Sequence, residues 1–259
     1  MMPFGTKNAA KALHREFFTD VDPGVLTEMK IAIIGYGKMG KLIDRLAPEY
    51  GFDVSLRLNR ENNGNGQGFV ENNFEDVSVA IEFSTALAAA DNIERAARLG
   101  VNIVTGTTGW FGEIDRARKA AAQTGVGIVW GSNYSVGIQI FGQIVSQAAR
   151  LMGTQEEYES WAWEIHHAAK KDAPSGTLLA LVEKMEKANY NGRIDVNSNR
   201  AGQHPGTHEI GFDSGSDTIT LRHVARNREC YARGALRAAR WVVGKKGFFD
   251  FRDIFDQLK

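Results

Sequence analysis

The 259-residue sequence predicts an α/β fold: a Rossmann-like parallel-sheet domain, then a mixed-sheet α+β domain. Three observations carry this. Short β-branched runs alternate with helix-patterned segments through the first half, as in doubly wound sheets. The first run opens directly into Gly35-Tyr36-Gly37-Lys38-Met39-Gly40, with a helical pattern behind it. After residue 200 the pattern changes to strands and turns of a mixed sheet.

Composition sets the outer bounds. A hydrophobic content of 43% suffices for a large core in one or two domains. Lys plus Arg is 31 and Asp plus Glu is 31, a formal net charge of zero. That balance argues against a nucleic-acid partner, which a basic excess would signal. The lone cysteine, Cys230, excludes an intramolecular disulfide and fits a reducing compartment. No apolar run approaches membrane-spanning length, and no metal-ligand set is expected. Residues 1–28 lack the apolar core of a signal peptide. They read as an extension without a catalytic role, or as residues upstream of a start at Met29.

The first strand is expected over residues 30–34. Its continuous apolar run suits a parallel strand covered on both faces. The six glycine-loop residues, Gly35, Tyr36, Gly37, Lys38, Met39 and Gly40, would let a pyrophosphate approach the backbone at a helix N-terminus. The second strand spans 53–58 and ends at Asn59 and Arg60. Such folds often place an acid there against the ribose 2′-hydroxyl. Asn59 carries no charge to repel a 2′-phosphate, and Arg60 offers a planar donor fork, so NADPH is expected to serve at least as well as NADH. Residues 61–68 read as a flexible loop.

Strands follow at 77–83, 101–104 and 126–130. Ser84-Thr85 is expected to cap the helix after the first of these. The other two end in Gly106-Thr107-Thr108-Gly109 and Ser132-Asn133-Tyr134-Ser135. Ligands of such sheets bind beyond the carboxyl ends of the strands, so Gly106, Thr107, Thr108, Ser132, Asn133 and Tyr134 are placed to line a nicotinamide pocket.

A helix is expected over 136–152, then a strand over 160–166 with Trp161, Trp163 and Ile165 on one apolar face. A polar turn follows with His167, Lys170, Lys171 and Asp172. Pro174-Ser175-Gly176-Thr177 opens an amphipathic helix with Ser175 as N-cap, leaving the Gly176 and Thr177 N–H groups for an anion. Each feature alone is common in ordinary turns. Together they point to a site for an acidic small molecule that also needs a proton. Arg222, His223, Arg226 and Arg228 are flanked by acids and read as structural or subunit-contact residues. Residues 231–243 read as a final helix, and Cys230 as packing.

With these pieces in this order, the chain resembles the 4-hydroxy-tetrahydrodipicolinate reductase family, the dihydrodipicolinate reductases of lysine and diaminopimelate synthesis. The matching pieces are residues 35–40, Glu82-Phe83-Ser84, 106–109, 132–137, 164–177, 205–212 and 217–229. The resemblance implies a dinucleotide-binding domain over 29–134 and a substrate-binding and tetramerisation domain over 135–231. It implies that a C-terminal helix over 232–259 returns to the first domain, and that the enzyme is a cytoplasmic homotetramer using NADPH and/or NADH. By the resemblance His166 is the proton donor and Lys170 a second proton-transfer or orienting residue. His167, Ser175, Gly176 and Thr177 would hold the carboxylates of a small cyclic dicarboxylate. An ordinary histidine titrates near neutral pH, which is expected to suit His166. Ala168 and Ala169 stand where the family often has basic residues, and Asn59 where an acid is common. Another Rossmann amino-acid dehydrogenase would share the first half, and so would a non-catalytic NADP(H)-sensing module.

Overall fold

The structure, a computed structural model, describes residues 29–258; the expectation for residues 1–28 lies outside them. Strands β1 (Met29–Ile34), β2 (Phe52–Leu58), β3 (Val77–Glu82), β4 (Asn102–Thr105) and β5 (Gly127–Trp130) lie in the order β5-β4-β3-β1-β2, all parallel. Ile31, Ala32 and Ile33 are fully buried, because helices cover both faces. Helix α1 (Lys38–Leu46) packs on one face; α4 (Ala86–Arg98) and α5 (Ile114–Thr124) pack on the other. Their alanines, among them Ala89, Ala96, Ala117 and Ala121, bring those helices close to the sheet. The strand order reverses between β1 and β3, and a crevice opens at such a reversal.

Two local expectations are corrected. The segment after β2 is not an open loop from residue 61. Arg60–Asn63 forms a helical turn, α2, and Glu71–Phe74 another, α3. Asn59 Oδ1 accepts the Glu61 and Asn62 N–H groups, and Asn62 Oδ1 accepts the Asn59 N–H at 2.7 Å. This reciprocal capping competes well with open coil. At the start of α4, Thr85 makes no side-chain cap. The Ser84 hydroxyl instead donates to the buried carboxylate of Glu82.

The second half begins with α6 (Val136–Met152). The Ser135 hydroxyl caps it by accepting the Ile138 N–H. Ile138, Phe141, Val145, Ala149 and Met152 then form its buried stripe. Next come β6 (Glu159–His166), α7 (Gly176–Lys187), β7 (Ile194–Arg200), β8 (Thr207–Asp213) and β9 (Thr218–Val224). The sheet order is β7-β6-β8-β9, with β6 parallel to β7 and the other pairs antiparallel. Strand β7 was not foreseen, since Ile-Asp-Val-Asn-Ser-Asn-Arg shows no inward apolar face.

The inward face of β6 is also the reverse of what its pattern suggests. Ser160, Ala162, Glu164 and His166 are buried, while Trp161, Trp163 and Ile165 are only half-buried. Helices α6 and α7 cover the first face. Ala162 leaves room for them, and the buried polar groups find internal partners. The tryptophans stand on the open face.

The chain then returns to the first sheet. Helix α8 (Glu229–Val242) packs beside α1. The expected helix over 232–259 does not continue. Gly244, at φ +75°, turns the chain into β10 (Gly247–Asp250), a sixth parallel strand beside β5. The short helix α9 (Phe251–Ile254) follows, and its fully buried Phe251 packs on Tyr134 with ring centroids 4.5 Å apart. Phe251→Ala should therefore lower unfolding free energy by about 3–5 kcal/mol. Denaturant titration checks this; a loss below about 1 kcal/mol would separate the C-terminal segment from the core.

Candidate active site

A cavity of about 610 Å³ lies between the two sheets. From the first sheet it meets Met39, Phe83 and the loops after β4 and β5. From the second it meets His166, His167, Lys170, Asp172 and the start of α7. Asn133 Nδ2 donates to Thr177 Oγ1 at 3.1 Å and bridges the two sides.

On the nucleotide side, Gly35 has φ +93°, and an added Cβ would lie 2.2 Å from the Phe83 carbonyl oxygen. Gly40 is equally crowded, with the Gly35 oxygen 2.3 Å from such a Cβ. Gly37 meets nothing within 4 Å and is the N-cap of α1 without a side-chain cap. Two glycines therefore close the turn, and the third leaves open space before an uncapped helix start. That is the cradle a pyrophosphate needs, so these residues fit a dinucleotide. Tyr36 hydrogen-bonds Asp44, which also pairs with Arg57 at 2.7 Å.

Of the residues expected on the nucleotide side, Met39, Gly106, Thr108, Ser132, Asn133 and Tyr134 line this cavity. Gly35, Tyr36, Gly37, Lys38, Gly40, Asn59, Arg60 and Thr107 do not. The Tyr134 hydroxyl donates to the carbonyls of Thr105 and Val129, so its ring anchors the loop. Thr107 Oγ1 accepts the Ser84 N–H at 2.8 Å and braces the loop after β3.

On the other side, α7 starts at the cavity wall. The Ser175 hydroxyl accepts the Leu178 N–H and donates to Glu164, and the Ser175 N–H also donates to Glu164 at 2.8 Å. Ser175 thus has no donor left for a ligand and fastens the start of α7 to β6. Gly176 and Thr177 face the cavity. Lys170 Nζ sits 2.7 Å from Asp172 Oδ1. Burial alone would raise the Asp172 carboxyl; Lys170 and the N–H groups of Asp172 and Gly176 hold it below its ordinary value. In the free protein Asp172 therefore stands at the helix start beside the lysine.

Burial pushes the His166 imidazole down to about 4; Glu164 works against this, and His208, Lys170 and Arg200 work with it. This corrects the expectation that His166 titrates near neutral pH, since desolvation outweighs the single anion nearby. Burial and the charges of Arg228, Lys170, Lys38 and Arg200 lower His167. Those cations make the cavity receptive to anions.

Sequence reasoning missed Arg228, Pro205 and Tyr231 in the lining, and named Asp172 in the turn without giving it a role. Arg228 was read as structural because acids flank it in sequence. Only the return of α8 turns it toward His167. It also missed the layer beneath, Glu164 with Arg200 and His208. These come from three strands, and no spacing links them. Glu164, His166 and His208 each offer a ligand atom, all within 4.8 Å of one another. Both Glu164 oxygens already accept bonds from Ser175 or Arg200, and the guanidinium supplies the counter-charge. A cation added there would meet a like charge.

Residues 29–134 match the N-terminal domain of dihydrodipicolinate reductase, and residues 137–255 match its C-terminal domain. The chain belongs to the dihydrodipicolinate reductase family. It is 30% identical to the 4-hydroxy-tetrahydrodipicolinate reductase of Christiangramia forsetii, over 89% of this chain and 99% of that one. It is 34% identical to the same enzyme of Archaeoglobus fulgidus, over 88% of this chain and 100% of the relative. The fold of this reductase-family chain is similar to that of a dipicolinate-bound dihydrodipicolinate reductase from Paenisporosarcina sp. TG-14. That match has a TM-score of 0.66 at 19% identity and covers 88% of this chain and 99% of the other.

Proposed function

We propose that this chain reduces 4-hydroxy-tetrahydrodipicolinate to tetrahydrodipicolinate with NADPH or NADH. One hydride and one proton enter the ring, and one water is lost. The observation that carries the reading is the single cavity wall where His166, His167 and Lys170 meet the open start of α7, opposite a glycine cradle that fits a dinucleotide. The nicotinamide cofactor supplies the hydride when bound. The chain's own residues hold the ring and deliver the proton. Gly176 and Thr177 N–H groups and Lys170 receive one carboxylate, displacing Asp172, and His167 receives another. Two carboxylates entering the cavity oppose the desolvation of His166 and raise its affinity for a proton. His166 is thereby charged by the arrival of the substrate and donates as negative charge develops.

His166→Ala should lower kcat by roughly 10²–10⁴-fold with NADPH affinity retained. Lys170→Ala should raise KM for the dicarboxylate and also lower kcat. Consumption of NADPH with freshly prepared substrate measures both. Normal kcat in a folded His166→Ala protein removes the donor assignment.

Asn59 and Arg60 support use of NADPH at least as readily as NADH. The Asn59 oxygen is engaged in capping α2, but the position stays uncharged and Arg60 is exposed. Asn59→Glu should shift the ratio of kcat/KM values toward NADH by like-charge repulsion. A ratio that does not move would show that the ribose is read elsewhere.

The open face of the second sheet supports a homotetramer built through it. Trp161, Trp163 and Ile165 are half-buried there, and Val224, in register with Ile165 through Thr207, is 53% exposed. Exposed apolar surface of this kind marks contact faces. Sedimentation should give a mass near four chains; a monomer would remove this reading.

A further inference from the structure

Beneath His166 lies a buried carboxylate that the reaction above does not use. Glu164 is fully buried and sits two residues before His166 on the same face of β6. Its Oε1 accepts the Ser175 N–H at 2.8 Å and Arg200 Nη2 at 2.8 Å. Its Oε2 accepts the Ser175 hydroxyl and lies 3.4 Å from His166 Nδ1. His208 Nε2 lies 3.4 Å from the same oxygen. Burial would raise this carboxyl, yet His208, Ser175 and Arg200 hold it well below the usual carboxylate range, so it is an anion throughout the neutral range. His166 Nδ1 and His208 Nε2 are buried and form no hydrogen bond, so for both the Glu164 carboxylate is a charge at ion-pair distance.

The His166 ring is bracketed on its remaining sides. His208 packs edge-on, with centroids 5.1 Å apart and planes at 73°. His166 Nε2 abuts Gly206, where an added Cβ would come within 2.9 Å. That nitrogen keeps room only because residue 206 has no side chain.

We propose that Glu164 is a positioning residue, which turns His166 Nδ1 inward and Nε2 toward the substrate and ties this donor to the carboxylate clamp through Ser175. This rests on the assignment of His166 as the proton donor. A carboxylate behind a catalytic imidazole acts this way in hydrolase triads, fixing tautomer and orientation and favouring the imidazolium. Here the same carboxylate also holds Ser175, the N-cap residue just before the Gly176 and Thr177 N–H groups. Donor and clamp therefore keep one spacing, and a ring bound at α7 meets Nε2 in register. Arg200 sets how strongly Glu164 acts, because the guanidinium shares its charge.

The charged and titratable groups facing His166 are Glu164 on β6, Arg200 on β7, His208 on β8 and Lys170 in the turn. Helix α7 contributes the neutral Ser175. His223 of β9 faces His208, and Arg228, the N-cap residue before α8, faces His167. The donor must be protonated, so kcat falls as pH rises through the His166 value in the complex. Removing the anion lowers that value, and removing the guanidinium raises it.

The test is kcat against pH at saturating NADPH and substrate, in otherwise intact protein whose NADPH affinity confirms folding. Glu164→Gln should lower kcat about 10- to 100-fold and move the alkaline limb to lower pH. Arg200→Gln should move that limb to higher pH. In a His166→Ala background, Glu164→Gln should cost less than about 2-fold further. A packing role alone predicts equal losses in both backgrounds and unmoved limbs, and that result overturns the proposal. If Glu164→Gln does not fold, the Arg200→Gln limb decides: an upward shift supports the proposal, and no shift or a downward one overturns it. Unchanged kcat in His166→Ala overturns the donor assignment instead.

Discussion

The second-sheet side of the cleft depends on one buried charge. Glu164 carries a full carboxylate with no access to water, which is tolerable only where the charge is paired and its oxygens are hydrogen-bonded. Arg200 and Ser175 meet that demand. Taking away one partner of such a pair costs about 3–5 kcal/mol, since the other is left uncompensated. The pairing also constrains the backbone. Arg200 ends β7, Ser175 begins α7 and Glu164 lies in β6, so satisfying the charge draws three elements to one point. Arg200 Nη2 donates to the Asp172 carbonyl as well, which ties down the turn between His167 and the start of α7.

The nucleotide side follows a different logic, in which backbone geometry does most of the work. Gly35 and Gly40 are crowded by main-chain oxygens, and only residues without a Cβ fit there. The uncapped helix start they create favours an anion by its N–H groups and its dipole. Side chains such as Tyr134 and Thr107 brace the loops from within. The two sides stay in register because the chain crosses between the sheets twice. It leaves the first sheet after β5 and returns through α8 and β10.

The alternation of strands and helices through β5, the span of α6 and the N-cap at Ser175 were readable because each is a local matter of period and capping. Nearest-neighbour chemistry decides them. Expectations failed where burial overrode pattern. The tryptophans of β6 look like a core face, yet the buried face holds Glu164 and His166. Residues 247–250 read as the tail of a helix and instead complete a sheet, because the edge of β5 offers unpaired backbone groups.

The sequence by itself determined the family, the glycine turn after β1 and the short stretch from His166 to Thr177 that lines the cavity. Those features are contiguous, so their spacing is set by bond geometry. Only the tertiary structure decided the state of His166. Its charge depends on desolvation and on Glu164, Arg200 and His208, which lie apart in sequence and meet through sheet pairing. It likewise turned Arg228 toward the cleft and committed both Ser175 donors to Glu164. Electrostatics acts through space rather than along the chain, so the proton chemistry of this site follows from the fold.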